Sequence, residues 1–176
     1  MATIDLAATS VRQANEQIRN FGTQGEDVEV INPDARHHIG VGLVHNIKVK
    51  IRGSAGYFCA GLTDGCRVEI DNNVGWGLAD NMLGGCAIVR GNASAIAAVA
   101  MRGGEVVVHG NIGSRAGQVM KEGTLLAAGN ANFMAGYMMY GGTIIILGDS
   151  GERIGEDMSS GEIFVAGKVE DLGSDA

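Results

Sequence analysis

Several residue types are scarce in this sequence, and their scarcity argues against whole classes of protein. Proline occurs once, at position 33, and aromatic residues make up 5% of the 176 residues. The 29 glycines show no three-residue period, so the chain is not collagen-like and we expect many tight corners instead. Lysines and arginines form no cluster and the net charge is -7, which argues against nucleic acid or an anionic membrane surface as partner.

Cysteine and long apolar runs are also scarce. The three cysteines, Cys59, Cys66 and Cys86, lack metal-ligand spacing, so we expect reduced, mostly buried thiols in a cytoplasmic protein. The first ten residues have neither the basic nor the apolar region of a signal peptide. Apolar runs such as residues 143–147 are too short to span a membrane. We therefore expect one cytoplasmic domain, in which the 45% hydrophobic residues build the core.

A pattern that recurs every 19 residues dominates the rest of the chain. Its apolar column runs without insertion or deletion through Ile51, Ile70, Val89, Val108, Ala127, Ile146 and Val165. Self-similarity at a fixed period is typical of solenoids, and the β-branched segments that end in this column suit short strands. The pattern predicts an all-β fold, a single-stranded parallel β-helix of about seven 19-residue coils, which we expect to be right-handed.

A second column of the repeat predicts structural turns. It lies two residues after the apolar column and holds Gly53, Asn72, Gly91, Gly110, Gly129, Gly148 and Gly167. Because asparagine tolerates left-handed backbone better than other non-glycine residues, we expect a positive φ throughout this column. A further column of methionines should fill the interior of the coils: Met82, Met101, Met120, Met139 and Met158.

The first 46 residues precede the regular repeat and predict a cap. Residues 1–8 suit a short strand, and Thr9 or Ser10 can serve as the N-cap of a helix over residues 11–20 that Gly22 ends. Solenoid ends expose unpaired backbone groups, so a cap is expected there. We therefore divide the chain into a cap over residues 1–46 and a β-helix over residues 47–176.

The sequence contains no motif for a catalytic, cofactor-binding or metal site. His37 and His38 lie in the cap loop without a third ligand, so we interpret them as loop or interface residues. No neighbour activates Cys59 or Cys66 as a thiolate. Charges near the solenoid end are expected to be exposed and to serve solubility or docking: Glu152, Arg153, Glu156 and Asp157.

One column predicts a protein interface. The middle residue of each strand triplet should point outward, and in the early coils it is Lys50 or Glu69. In the later coils the same position is apolar: Ile88, Val107, Leu126, Ile145 and Phe164. An exposed apolar patch of this kind normally marks a site of protein association. The alternative is that the inward-facing phase is reversed in the later coils.

The repeat G-[ND]-x-x-x-x-x-G, with a GG pair closing each coil, resembles the GXGXG-type β-helix domain of the glutamate synthase family. The opening IDLAATSVRQANEQIR, the loop NPDARHHIGVGL and the ending GDSGERIGEDMSSGEIFVAGKVEDLGSDA resemble the free-standing subunits of that family. The resemblance covers essentially the whole chain.

This resemblance implies a non-catalytic scaffold subunit between an amidotransferase-type subunit and a synthase subunit. FMN and an iron–sulfur cluster are expected in the synthase subunit and no cofactor in this chain. In methylotrophic bacteria such a complex is N-methylglutamate synthase, a methylamine–glutamate N-methyltransferase. Two alternatives stay open: the non-flavin β-helix subunit of a formylmethanofuran dehydrogenase or formyltransferase/hydrolase complex, and a stand-alone structural β-helix.

Overall fold

The computed structural model describes residues 1–176 and consists of one nine-stranded parallel sheet and one helix. The strands are β1 (Ala2–Asp5), β2 (Val28–Ile31), β3 (Lys48–Ile51), β4 (Arg67–Ile70), β5 (Cys86–Val89), β6 (Arg102–Val108), β7 (Glu122–Ala127), β8 (Thr143–Ile146) and β9 (Glu162–Val165). Each strand pairs with the next in sequence order. Because all pairs are parallel and sequential, the chain coils around one axis, which confirms the all-β solenoid of about seven turns. Its right-handed coiling stays a prediction.

The strand register from β3 onward follows the 19-residue period. Ile51 pairs with Ile70, Ile70 with Val89, and the same spacing continues to Val165 in β9. A second line of parallel bridges runs along another side of the coils through Ala55, Val74, Ala93, Ile112, Ala131, Ser150 and Val169. These two lines of backbone pairing hold successive coils in register.

The core lies inside the coils, as the apolar and methionine columns predict. Met82, Met101, Met120 and Met139 are fully buried, and Met158 packs against the end of the same core. The apolar strand column is fully buried from Ile51 to Ile146. Methionine is flexible and unbranched, so it can fill the irregular space left inside each coil.

The glycine column lies at the bend after each strand, but the positive φ expected there is wrong. Within this column only Gly53 has a positive φ, at 139°. The residues with positive φ instead form four other columns, which begin at Phe58, Ala60, Leu62 and Gly85. The requirement for glycine comes from the neighbouring coil, because a Cβ at Gly110 would lie 2.8 Å from the carbonyl oxygen of Gly91.

An asparagine ladder explains this close approach. The side-chain oxygen of Asn73 accepts the backbone N–H of Asn92 at 2.8 Å, and the pattern repeats through Asn111, Asn130, Asp149 and Lys168. The side-chain oxygen of each rung occupies the space where a Cβ of the next corner glycine would sit. The corner residue Asn72 precedes the ladder, because the equivalent position of the preceding coil is Ser54 and the first rung is accepted by Asn73.

The cap contains the helix α1 (Val11–Thr23), which begins at the predicted N-cap Ser10 and forms a capping box with Gln13. Gly22 does not end the helix as expected but lies inside it. A Cβ at Gly22 would lie 2.7 Å from Cδ2 of His45, so glycine is needed there for close packing. The helix ends at Thr23 with Gln24 as its C-cap, and Gly25 follows with a φ of 68°. No helix is both long and apolar enough to cross a membrane.

Candidate interaction surface

The outer face of the sheet carries the column that predicts an interface, here called the outer stripe: Ile88, Val107, Leu126, Ile145 and Phe164. These residues are direct cross-strand partners from β5 to β9. In β7 the neighbours of Leu126, Leu125 and Ala127, are fully buried. The same alternation in β6 and β8 shows that the stripe points outward, so the alternative of a reversed phase is wrong.

The exposure of the outer stripe increases toward the C-terminal coils. Ile88 is only 8% exposed, and Val107, Leu126 and Ile145 are half-buried. Phe164 in β9 is 54% exposed. The part of the stripe that a partner could cover therefore lies on β6 to β9.

Leu147 belongs to the same surface and was missed by the sequence interpretation. It lies two residues after Ile145 and is 51% exposed. Its column contains Asp71, whose carboxylate lies 3.7 Å from Nζ of Lys50 in the stripe column, so the two columns are neighbours on one face. The signal was present in the sequence, because this column also changes from charged to apolar: Arg52, Asp71, Arg90, His109, Ala128 and Leu147. We define the outer apolar patch as Leu126, Ile145, Leu147 and Phe164.

The early coils of the same face are covered by ion pairs. Glu69 lies 2.7 Å from Nε of Arg67 and 3.1 Å from Nζ of Lys48, while Arg52 contacts both Glu29 and Asp71. Burial raises the pKa of Glu69, whereas the hydrogen bonds from Arg67 and Lys48 lower it. The lowering effect is larger in total, so the pKa lies below its usual value. Each surface ion pair contributes little to the free energy of unfolding. Together these pairs make the early coils of this face charged, in contrast to the later coils.

The two cap-loop histidines are held by aromatic stacking. His37 stacks on Tyr57 with ring centroids 4.3 Å apart, and Tyr57 stacks in turn on Trp76 at 5.6 Å. His38 stacks on Phe58 at 5.6 Å. Nδ1 of His37 also accepts the backbone N–H of Tyr57 at 2.8 Å. No group of three or more His, Cys, Asp or Glu side chains comes together in a metal-binding arrangement.

The cysteines are free and mostly buried, as expected. Burial raises the pKa of Cys59 to about 12 and that of Cys66 to about 11. Cys86 is half-buried, and burial also raises its pKa. A raised pKa keeps the thiol protonated at neutral pH, so none of the three is activated as a nucleophile.

In the charged group near the solenoid end, Glu152, Arg153 and Asp157 are exposed as expected, but Glu156 is buried. Glu156 is only 6% exposed, and it accepts hydrogen bonds from Arg153 and from the backbone N–H of Ser174. The hydrogen bond from Arg153 is the main cause of the lowered pKa of Glu156. Asp157 donates its backbone N–H to Asp175 at 2.9 Å. These contacts fix the tail over residues 169–176 against the last coil, which the local sequence did not reveal.

The outer face of the sheet is charged in the early coils and apolar in the later coils. The fold and this face define the chain as a parallel β-solenoid with a candidate protein-binding surface on one side of its sheet. The GXGXG motif family matches residues 13–175, so the chain belongs to this family, the β-helix family that its repeats resemble. Protein GlxC from Rhizobium meliloti (strain 1021) is 37% identical over 91 residues. That match covers 51% of this chain and 40% of GlxC, so it spans less than half of the relative.

Proposed function

We propose that the chain is a non-catalytic scaffold subunit of a glutamate synthase-type complex, and that a partner subunit docks on the outer apolar patch. Membership of the GXGXG family and the likeness to GlxC support a glutamate synthase-related role. The particular complex that we propose is N-methylglutamate synthase. This choice depends on the resemblance of the cap loop and the C-terminal segment to the free-standing subunits.

The division of the outer face is the observation that carries the proposal. Cross-strand neighbours on one sheet face change from the ion-paired Lys50 and Glu69 to apolar residues in the later coils. Folding does not require these outward apolar side chains, because the inward residues of the same strands already form the core. An apolar patch bordered by polar residues is the usual composition of a protein interface.

The proposed partners are an amidotransferase-type subunit and a synthase subunit that holds FMN and an iron–sulfur cluster. In this arrangement the β-solenoid bridges the two, has no cofactor of its own and works in the cytoplasm. Its coils are tied together by two lines of backbone pairing. This construction supports a spacer that keeps two docking sites at a constant distance.

The docking surface is tested by the double variant Leu126→Lys and Ile145→Lys, expressed in the native host with an affinity tag. We expect the variant to fold but to lose its co-purifying subunits, because two charges would be buried against an apolar partner. The matched control is Leu83→Lys with Tyr140→Lys, which changes two exposed hydrophobic residues outside the sheet. The control should still assemble. Unchanged assembly of the Leu126 and Ile145 variant would exclude docking on this patch.

Mass spectrometry of the co-purified subunits tests the identity of the complex. Amidotransferase-type and flavin-containing synthase subunits would support the proposed function. Subunits of a formylmethanofuran dehydrogenase or formyltransferase would support the second assignment instead. A chain that purifies alone under all conditions would favour the stand-alone structural β-helix.

A further inference from the structure

A basic groove lies in the cap, on the side of the molecule where α1 faces the loop after β2. It has a volume of about 440 Å³ and is lined by Val11, Arg12, Asn15, Arg19, His37, His38 and Val41. Two arginines and two histidines thus meet in one groove, and no carboxylate lines it. This composition is unusual in a chain whose net charge is -7.

Hydrogen bonds between the helix and the loop fix the walls of the groove. Asn15, only 8% exposed, donates Nδ2–H to the carbonyl oxygen of His38 at 2.7 Å and accepts the N–H of Gly40 at 2.8 Å. Arg19 donates to the carbonyl oxygen of Val41 at 3.4 Å. The groove is therefore formed before any ligand enters, which reduces the entropy lost on binding.

The basic side chains keep donors available for a ligand. Neither Arg12 nor Arg19 forms a salt bridge, although each guanidinium has five N–H donors. Glu16 lies on the same helix but does not line the groove. Because Nδ1 of His37 accepts the N–H of Tyr57, the neutral ring carries its hydrogen on Nε2, where it can be donated.

We propose that this groove binds a small anion through a phosphate or carboxylate group. A guanidinium matches the oxygens of either group with two parallel hydrogen bonds. The two arginines are seven residues apart on α1, so they lie on the same side of the helix and both line the groove. The stack of His37, Tyr57 and Trp76 holds the His37 ring in place beside it.

Calorimetric titration of the full chain with inorganic pyrophosphate and, separately, with citrate tests this site. We expect saturable binding of at least one probe, and comparison of the two distinguishes phosphate from carboxylate recognition. The variant Arg12→Gln with Arg19→Gln should weaken binding by about tenfold or more, since it removes two charge-assisted contacts. Glutamine preserves helix propensity at these exposed positions, so the variant should fold.

The matched control is Arg102→Gln with Arg115→Gln, which removes two exposed arginines without salt bridges elsewhere on the solenoid. It makes the same change in net charge and should bind as the unmodified chain does. NMR spectra of the unmodified chain should show shifts of the His37 and His38 ring signals but not of His109. Absence of saturable binding, equal weakening in both variants, or shifts at His109 alone would each overturn the proposal.

Discussion

At the scale of single residues, the buried hydroxyl of Ser150 stands out from its surroundings. Its Oγ is buried without a hydrogen-bond partner. The equivalent positions in the preceding coils are Ala93, Ile112 and Ala131, which bury only apolar atoms. A buried hydroxyl that forms no hydrogen bond loses its contacts with water without replacement, so it reduces the free energy of unfolding.

We predict that Ser150→Ala increases the free energy of unfolding by about 1 kcal/mol, because it removes an unsatisfied polar group at little loss of volume. The converse variant Ala131→Ser should decrease it by a similar amount. Urea denaturation followed by circular dichroism measures both changes. A lower stability of the Ser150 variant would show that its hydroxyl has a partner.

At the scale of one structural element, the coil corner combines a glycine with an asparagine. The asparagine side chain accepts a backbone N–H of the next coil, and the glycine leaves the space that this side chain occupies. The two residues therefore depend on each other across neighbouring coils. This dependence explains why the glycine column extends from Gly91 to Gly167, while Asn72 occupies the corner that follows Ser54.

We predict that Gly110→Ala decreases the free energy of unfolding by about 1–3 kcal/mol, the usual cost of overpacking. The new Cβ would lie 2.8 Å from the carbonyl oxygen of Gly91 and would clash with Oδ1 of Asn92. Asn72→Ala is the matched control, since that corner already accommodates a Cβ and its side chain makes no hydrogen bond. Thermal unfolding of the two variants compares them, and equal effects would contradict the role assigned to the ladder.

At the scale of the whole molecule, one buried carboxylate stabilises the early coils of the solenoid and another stabilises its last coil. Glu69 links strands of the early coils through Lys48 and Arg67, and Glu156 fixes the C-terminal tail through Arg153 and Ser174. Both carboxyl groups have a lowered pKa in the folded chain. Each therefore adds stability above its usual pKa of 4.5, and this contribution is lost as the pH falls through the lower folded-state value.

We predict that the lowered pKa values of Glu69 and Glu156 make the free energy of unfolding fall as the pH drops below about 5. Glu69→Gln should reduce the slope of this fall, because the variant no longer binds a proton at that position on unfolding. Glu162→Gln, at an exposed position without a salt bridge, is the control and should leave the slope unchanged. Urea denaturation at a series of pH values measures the slope, and an unchanged slope in the Glu69 variant would refute the assignment.

Much of the fold could be predicted from the sequence because the repeat is local and regular. An uninterrupted period of 19 residues places equivalent residues above one another, so the strands, their register and the buried columns all follow from it. The same logic identified the outer stripe, since alternation along a strand determines which side chains point outward. The start of the cap helix could also be predicted, because Ser10 and Gln13 form a local capping signal.

Tertiary structure decided the features that depend on contacts between distant segments. Gly22 lies inside the helix because it packs against His45, and the corner glycines are needed because of side chains one coil away. Glu156 is buried because the tail folds back on the last coil. The basic groove exists only because Asn15 joins α1 to a loop more than 20 residues further along the chain. A periodic sequence determines which residues of successive coils lie above one another. The space available to each side chain is determined by the segments that pack around it in the folded chain.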